Sequence, residues 1–211
     1  MPIVWRKEES GYSIVIWQSN ERLPDLFQSV RLADDEKKQL ASFRSESRKR
    51  EWLTVRNALK GLGIPDAKIV YDTFGKPHLE SGKSISISHS NEFVAVMISE
   101  SGRIGIDIEV LHERIKKLSQ KFIGEKEKTD IGEEIAIEKL HVYWGAKEVL
   151  YKIHGIGGID FKKDLFVQSF QYTDFGILQA SILKINSERN LNIYWERSGK
   201  YMITWGIDNE N

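Results

Sequence analysis

The chain has 211 residues, with 31 Lys+Arg balanced by 31 Asp+Glu and no cysteine. That length can bury a core as one large domain or two small ones, and 40% apolar with 29% charged residues excludes long-range disorder and collagen-like structure. Zero cysteines exclude disulfides, thiolate metal sites and a cysteine nucleophile; zero net charge counts against a general nucleic-acid binder; no run approaches the roughly 20 apolar residues of a bilayer span.

The start of the chain, Met1-Pro2-Ile3-Val4-Trp5-Arg6-Lys7, lacks the apolar block of a signal peptide, so a cytoplasmic location is expected. A strand is predicted over residues 12–17, where Tyr12, Ile14 and Ile16 alternate with Ser13 and Val15. The charged stretch 32–62 reads as helical. Trp52, Val55, Leu59 and Leu62 recur at spacings of three and four, and Gly61 and Gly63-Ile64-Pro65 stop the pattern. Short strands follow at 85–87, 93–98 and 104–110. The last two are joined by the polar turn Ser99-Glu100-Ser101-Gly102, which predicts a hairpin. A second helix is predicted over 133–154, ended by Gly155, with Leu140, Tyr143, Ala146, Leu150 and Ile153 as its apolar face. After Gly157-Gly158 strands return at 165–170, 177–185, 191–195 and 201–205. This order predicts an α+β fold of two similar lobes, 1–103 and 104–211, each a small antiparallel sheet packed with helix. No internal sequence repeat accompanies that pseudo-twofold arrangement, which rests on element order alone.

Five features bear on chemistry. In Ile104-Gly105-Ile106-Asp107-Ile108-Glu109-Val110 the period of two puts Gly105, Asp107 and Glu109 on one side of a strand. The pair is either a solvated acidic edge or a site where a divalent cation relieves the repulsion of two carboxylates, and all-oxygen ligation suits Mg²⁺. In Trp144-Gly145-Ala146-Lys147-Glu148-Val149-Leu150-Tyr151-Lys152, Glu148 and Lys152 share a helix face opposite the apolar stripe, with Trp144 one turn earlier. Such a pair is surface decoration unless something lies opposite it. Ser86-Ile87-Ser88-His89-Ser90 offers hydroxyl and imidazole groups to phosphate oxygens, but no G-x-S-x-G elbow exists for a serine hydrolase. The cluster Arg44, Arg48, Lys49, Arg50, Arg56 and Lys60 is either a solvated helix face or a flank for a polyphosphate. Gly75-Lys76-Pro77 is a turn with one cation and carries no meaning alone.

Taken together in this order, Gly75-Lys76-Pro77, Ser86-Ile87-Ser88-His89-Ser90, Gly105-Ile106-Asp107-Ile108-Glu109 and Trp144-Gly145-Ala146-Lys147-Glu148 with Lys152, followed by Gly155 and Gly157, resemble the 4′-phosphopantetheinyl transferase superfamily, in its two-lobed Sfp type. The resemblance implies Mg²⁺-dependent transfer of the phosphopantetheine arm of coenzyme A to a serine of an apo acyl carrier protein or a peptidyl or aryl carrier domain, releasing 3′,5′-ADP. By that resemblance Asp107, Glu109 and Glu148 ligate Mg²⁺, with Mn²⁺ as the alternative. Glu148 deprotonates the carrier serine, directly or through a metal-bound water, or Glu127 shares that role, with Glu125 a close alternative in register. Lys152 contacts the phosphate and the leaving oxygen. Arg50, Arg56, Gly75, Lys76, Pro77, Ser88 and His89 match coenzyme A positions. The chain departs from the family pattern at Ser86, where an asparagine is usual, at Val149, where serine or alanine is common, and upstream of the first helix, where only Lys37 and Lys38 are near.

A one-lobed synthase is about half this length, so both lobes in one chain imply a monomer with its cleft between them. Two other readings remain: a carrier- or CoA-binding module that has lost catalysis, and a metal-dependent nuclease or phosphodiesterase using Asp107, Glu109 and Lys152. The intact carboxylate trio counts against the first. Neutral charge and the lack of a nearby D/E-x-K count against the second.

Overall fold

The computed structural model describes residues 3–131, 136–184 and 187–209. The expected helix start at 133 and strand end at 185 lie outside the described residues, as do Met1 and Pro2. The chain forms two compact units, Met1–Val70 with Pro77–Glu100, and Tyr71–Lys76 with Ser101–Asn211. The α+β class expected from element order is borne out. Residues 101–103 join the second unit, as does the excursion that carries Gly75 and Lys76.

The first unit holds β1 (Ile3–Glu9), β2 (Tyr12–Gln18), α1 (Leu23–Gln28), α2 (Asp34–Ser42), α3 (Glu46–Gly61), β3 (Ile69–Tyr71, at the boundary), β4 (Pro77–Leu79), β5 (Ser84–Ser90) and β6 (Phe93–Ser99). Its sheet runs in the order β1-β2-β6-β5-β4-β3. The charged stretch read as one helix is two. Phe43 is extended and packs edge-on against Trp52, and the Ser45 hydroxyl caps α3 by accepting from the Arg48 N–H. Residues 52–59 of α3 are buried all round, because Val55, Ala58 and Leu59 pack on the sheet while Trp52 and Leu53 pack on Leu26 of α1 and Leu40 of α2.

The second unit holds β7 (Arg103–Val110), α4 (Arg114–Phe122), α5 (Lys128–Ile131), α6 (Ile137–His154), β8 (Leu165–Val167), β9 (Phe175–Lys184), β10 (Ser187–Ser198) and β11 (Tyr201–Asp208). Its antiparallel sheet runs β7-β11-β10-β9-β8. The hairpin expected of 93–98 with 104–110 does not form. β6 is buried along its whole length and takes β2 and β5 as its two partners, with the β5–β6 turn closed at Asn91 in a left-handed conformation (φ 52°). β7 pairs instead with β11 in the other sheet, so Ser99-Glu100-Ser101-Gly102 is a crossover.

α6 packs on β7 and β11, and glycines let it come close. A methyl group on Gly105 would sit 2.5 Å from the Val149 carbonyl oxygen, and one on Gly145 would sit 2.3 Å from Thr204 Oγ1. The two sheet positions are adjacent, since Asp107 is the cross-strand partner of Thr204 and Gly105 of Gly206. Gly105 therefore serves the helix–sheet contact rather than leaving space beside the acids. Gly155, left-handed at φ 71°, ends α6 as the sequence indicates. Gly105→Ala is expected to lower stability by about 1–3 kcal/mol in urea unfolding through overpacking, while Gly157→Ala, whose methyl meets open space, changes it by less than about 0.5 kcal/mol.

Candidate functional site

The side chains that the sequence singles out on β7 and α6 come together in the second unit. β7 is an edge strand paired on one side with β11, and its Asp107 is buried while Glu109 is half-buried. Four-residue spacing on α6 stacks Trp144, Glu148 and Lys152 along the helix. The expectation that this face lies opposite the apolar stripe is corrected. α6 is buried nearly all round, and the Glu148–Lys152 face looks onto β7 because Gly105 and Gly145 bring helix and strand together. Lys152 Nζ donates to Asp107 Oδ1 at 3.0 Å and to the Ile106 carbonyl at 2.7 Å, and Trp144 Nε1 donates to Glu109 Oε1 at 3.2 Å.

Glu148 is the group whose chemistry this packing changes most. Burial pushes its carboxyl up to about 7, with Asp107 and then Glu109 adding repulsion and Lys152 opposing them. With all three carboxylates ionised, one ammonium among them leaves two negative charges in a partly desolvated space. The donor set is all oxygen and the excess charge is that of a divalent cation, so in kind and in charge the residues fit Mg²⁺. Among the described residues no group of three or more histidine, aspartate or glutamate side chains is gathered at metal-holding distances. In the structure Lys152 and Trp144 occupy oxygens of Asp107 and Glu109 instead.

Glu127, expected as a catalytic candidate, has a different place. Its side chain is 1% exposed and forms a 2.7 Å ion pair with Lys147, which is fully buried. Glu127 Oε2 also accepts from the Gly124 N–H and Oε1 from the Val167 N–H, while Lys147 Nζ donates to the carbonyls of Phe122 and Phe161. With both oxygens bound, the carboxylate is a structural tie between α6, the end of α4 and the end of β8. Its buried pairing leaves neither oxygen open to solvent. Glu125 is exposed and paired with Lys128. Lys147 stands in the Trp144–Lys152 motif with no local sign that it will be buried.

The coenzyme A candidates divide between the units. Arg56 is corrected. It is 6% exposed, its Nε donates to Glu36 Oε1 at 2.9 Å, another guanidinium nitrogen donates to the Trp52 carbonyl, and its plane covers the Trp52 ring. Arg50, about one and two-thirds helical turns earlier on α3, is half-buried, donates to the Glu21 carbonyl and reaches Glu46 at 3.6 Å. On β5 Ser86 and Ser88 are buried, while His89 is exposed on the opposite face, 3.8 Å from Glu51. Gly75 takes a left-handed turn (φ 81°) ahead of Pro77 at the start of β4, and Lys76 lies in the second unit against Gly155.

An acidic edge strand crossed by a Trp-Glu-Lys helix is what defines the 4′-phosphopantetheinyl transferase superfamily resemblance, and it is borne out at the level of the superfamily: residues 103–204 match its family model. Among curated proteins the chain is similar to the 4′-phosphopantetheinyl transferase AcpT of Salmonella typhimurium, 29% identical over 115 residues, 51% of this chain and 60% of that one. It is also similar to the 4′-phosphopantetheinyl transferase AcpT of Escherichia coli (strain K12), 30% identical over 115 residues, 51% of this chain and 59% of that one. A third relative is the 4′-phosphopantetheinyl transferase gsp of Aneurinibacillus migulanus, 28% identical over 149 residues, 68% of this chain and 60% of that one. The chain thus spans about 60% of the length of the curated relatives it matches.

A glutamic acid raised from its ordinary 4.5 to about 7 stays protonated in the fold while the unfolded chain ionises, so stability is full below pH 4.5 and is lost as pH rises through 7. The loss is at most about 3 kcal/mol. Glu148→Gln in metal-free protein is therefore expected to melt higher than wild type at pH 8 and equally near pH 4 in a thermal scan. Lys147→Ala, which strands the buried Glu127 carboxylate, is expected to cost about 3–5 kcal/mol in urea unfolding.

Proposed function

We propose that the chain transfers the 4′-phosphopantetheine arm of coenzyme A to a serine of an apo acyl or peptidyl carrier protein, releasing 3′,5′-ADP. The observation that carries this reading is the gathering of Asp107 and Glu109 from β7 with Glu148 and Lys152 from α6, within the span that matches the superfamily. In the reaction the serine oxygen forms a bond to the β-phosphorus of coenzyme A, the bond from that phosphorus to the bridging oxygen breaks, and 3′,5′-ADP departs with the pair.

Glu148 takes the hydroxyl proton. In the metal-free site burial and like charge raise this carboxyl to about 7; a cation held by the trio would lower it, so the role of base rests on its placement one helical turn from Lys152 and against Asp107. Lys152, already held 3.0 Å from Asp107, presents its ammonium to the charge that grows on the leaving oxygen. Asp107, Glu109 and Glu148 would hold Mg²⁺ or Mn²⁺, which when bound neutralises the pyrophosphate and lowers the cost of charge on the departing phosphate. Arg50, Gly75, Lys76, Pro77, Ser88 and His89 bind coenzyme A in this reading. Both units come from one chain, so a monomer is the expected working form. No helix among the described residues is long and apolar enough to cross a membrane.

The test is intact-protein mass spectrometry of an apo acyl carrier protein incubated with coenzyme A, Mg²⁺ and this protein. The carrier should gain the mass of one phosphopantetheine group, and EDTA should abolish the gain. Glu148→Gln should reduce transfer by at least about a hundredfold while coenzyme A binding partly survives. Bound coenzyme A without any gain across several carriers would identify a degenerate binding module. Near-normal turnover in the variant would remove Glu148 from the role of base.

A further inference from the structure

Helix α6 carries a histidine that no step of the proposed transfer uses. His141 lies about one turn before Gly145 and is 1% exposed. Its Nδ1 is 2.8 Å from the Ile137 carbonyl oxygen. A carbonyl only accepts, so Nδ1 carries the proton of the neutral ring and Nε2 keeps its lone pair. Burial lowers the pKa of this imidazole from its ordinary 6.5, which holds the ring neutral at pH 7. Among the described residues the buried Nε2 has no hydrogen-bond partner. A buried acceptor left in that state calls for a water or an ion.

One other imidazole lies against it. His112, just beyond the end of β7, has its ring centroid 5.1 Å from that of His141, with the planes crossing at 76°. The backbone on either side of His112 is held, since the Leu111 N–H donates to the Lys200 carbonyl and the Ile115 N–H donates to the carbonyl of His112 itself. The side chain is exposed, so rotation about its own bonds sets which edge of the ring meets Nε2. The spacing is that of two ligands on one ion. With metal–nitrogen bonds of about 2.0 Å at a tetrahedral angle, the centres of two imidazoles stand about 5 Å apart. The carbonyl of Ile137 completes the pattern, because a metal-bound histidine ordinarily donates its other ring N–H to such an oxygen, which fixes the tautomer and the ring's direction.

We propose that His112 and His141 form a two-histidine site for Zn²⁺, separate from the carboxylates of β7. Imidazole nitrogen suits zinc, whereas Mg²⁺ takes oxygen. No group of three or more histidine, aspartate or glutamate side chains is gathered at metal-holding distances among the described residues, so water supplies the remaining positions. The ion enters from the exposed side of His112. Once bound, it fastens the chain leaving β7 to the first half of α6, the two elements that carry Asp107, Glu109 and Glu148. His141 precedes Glu148 by about two turns of that helix. The inference stands apart from the transfer reading, because zinc uptake needs neither coenzyme A nor a carrier.

The test is calorimetric titration of Zn²⁺ into the untagged chain in a large excess of Mg²⁺, which competes for oxygen ligands. Wild type should take up an equimolar amount of zinc, and His112→Ala, a change at the surface, should bind it at least about tenfold more weakly. Unaltered affinity in His112→Ala, no saturable uptake by wild type, or uptake that the excess Mg²⁺ suppresses overturns the site. A second measurement spares the buried residue any substitution. Zinc is titrated against the imidazole NMR signals of wild type. Saturable perturbation of the His112 and His141 signals together, with those of His78, His89 and His154 unmoved, supports the site, and a His141 signal that does not respond overturns it.

Discussion

The site depends on how closely α6 lies on β7 and β11. Val149 rests its carbonyl over Gly105 and Gly145 rests against Thr204, so the helix sits closer to the sheet than side chains at those positions would permit. That approach turns Glu148 and Lys152 from surface residues into neighbours of Asp107 and Glu109. It also withdraws water from the carboxylates, and desolvation together with like charge then raises the carboxyl of Glu148 to about 7. Backbone packing thus sets the proton affinity of Glu148.

The approach is held by a second device on the far side of the same helix. Lys147, adjacent to Glu148, is buried and tied to Glu127 and to two carbonyls on either side of it. With all donors and acceptors met, the pair fixes the rotation of α6 about its axis, because a turned helix would strand a charge in the core. Lys147 and Glu148 are about 100° apart, so fixing the first aims the second. Neighbouring residues of one motif divide the labour between structure and chemistry.

Charge is arranged along α6 in the same spirit. Glu148, in its middle, neighbours the carboxylates of β7, while His154, at its end, lies among cations from four other segments. Zero net charge over the whole chain conceals this local separation.

By itself the sequence determined what local periodicity can determine. Alternation in 104–110 placed Asp107 and Glu109 on one side of a strand, i,i+4 spacing joined Glu148 to Lys152, and Gly155 ended the helix between them and the returning strands. Motif order carried the superfamily resemblance. The tertiary structure decided which partners each element takes. β6 and β7 look like a hairpin in sequence, yet a strand buried on both faces needs two neighbours, and β6 found them in β2 and β5. Arg56 and Glu127 match family positions as well as Arg50 and Glu148 do, and only burial shows that Glu36 with Trp52, and Lys147 with two backbone N–H groups, already hold them. Sequence fixes which groups a chain carries and the face each presents locally; desolvation and pairing, which decide whether a charge is structural or reactive, exist only once distant segments meet.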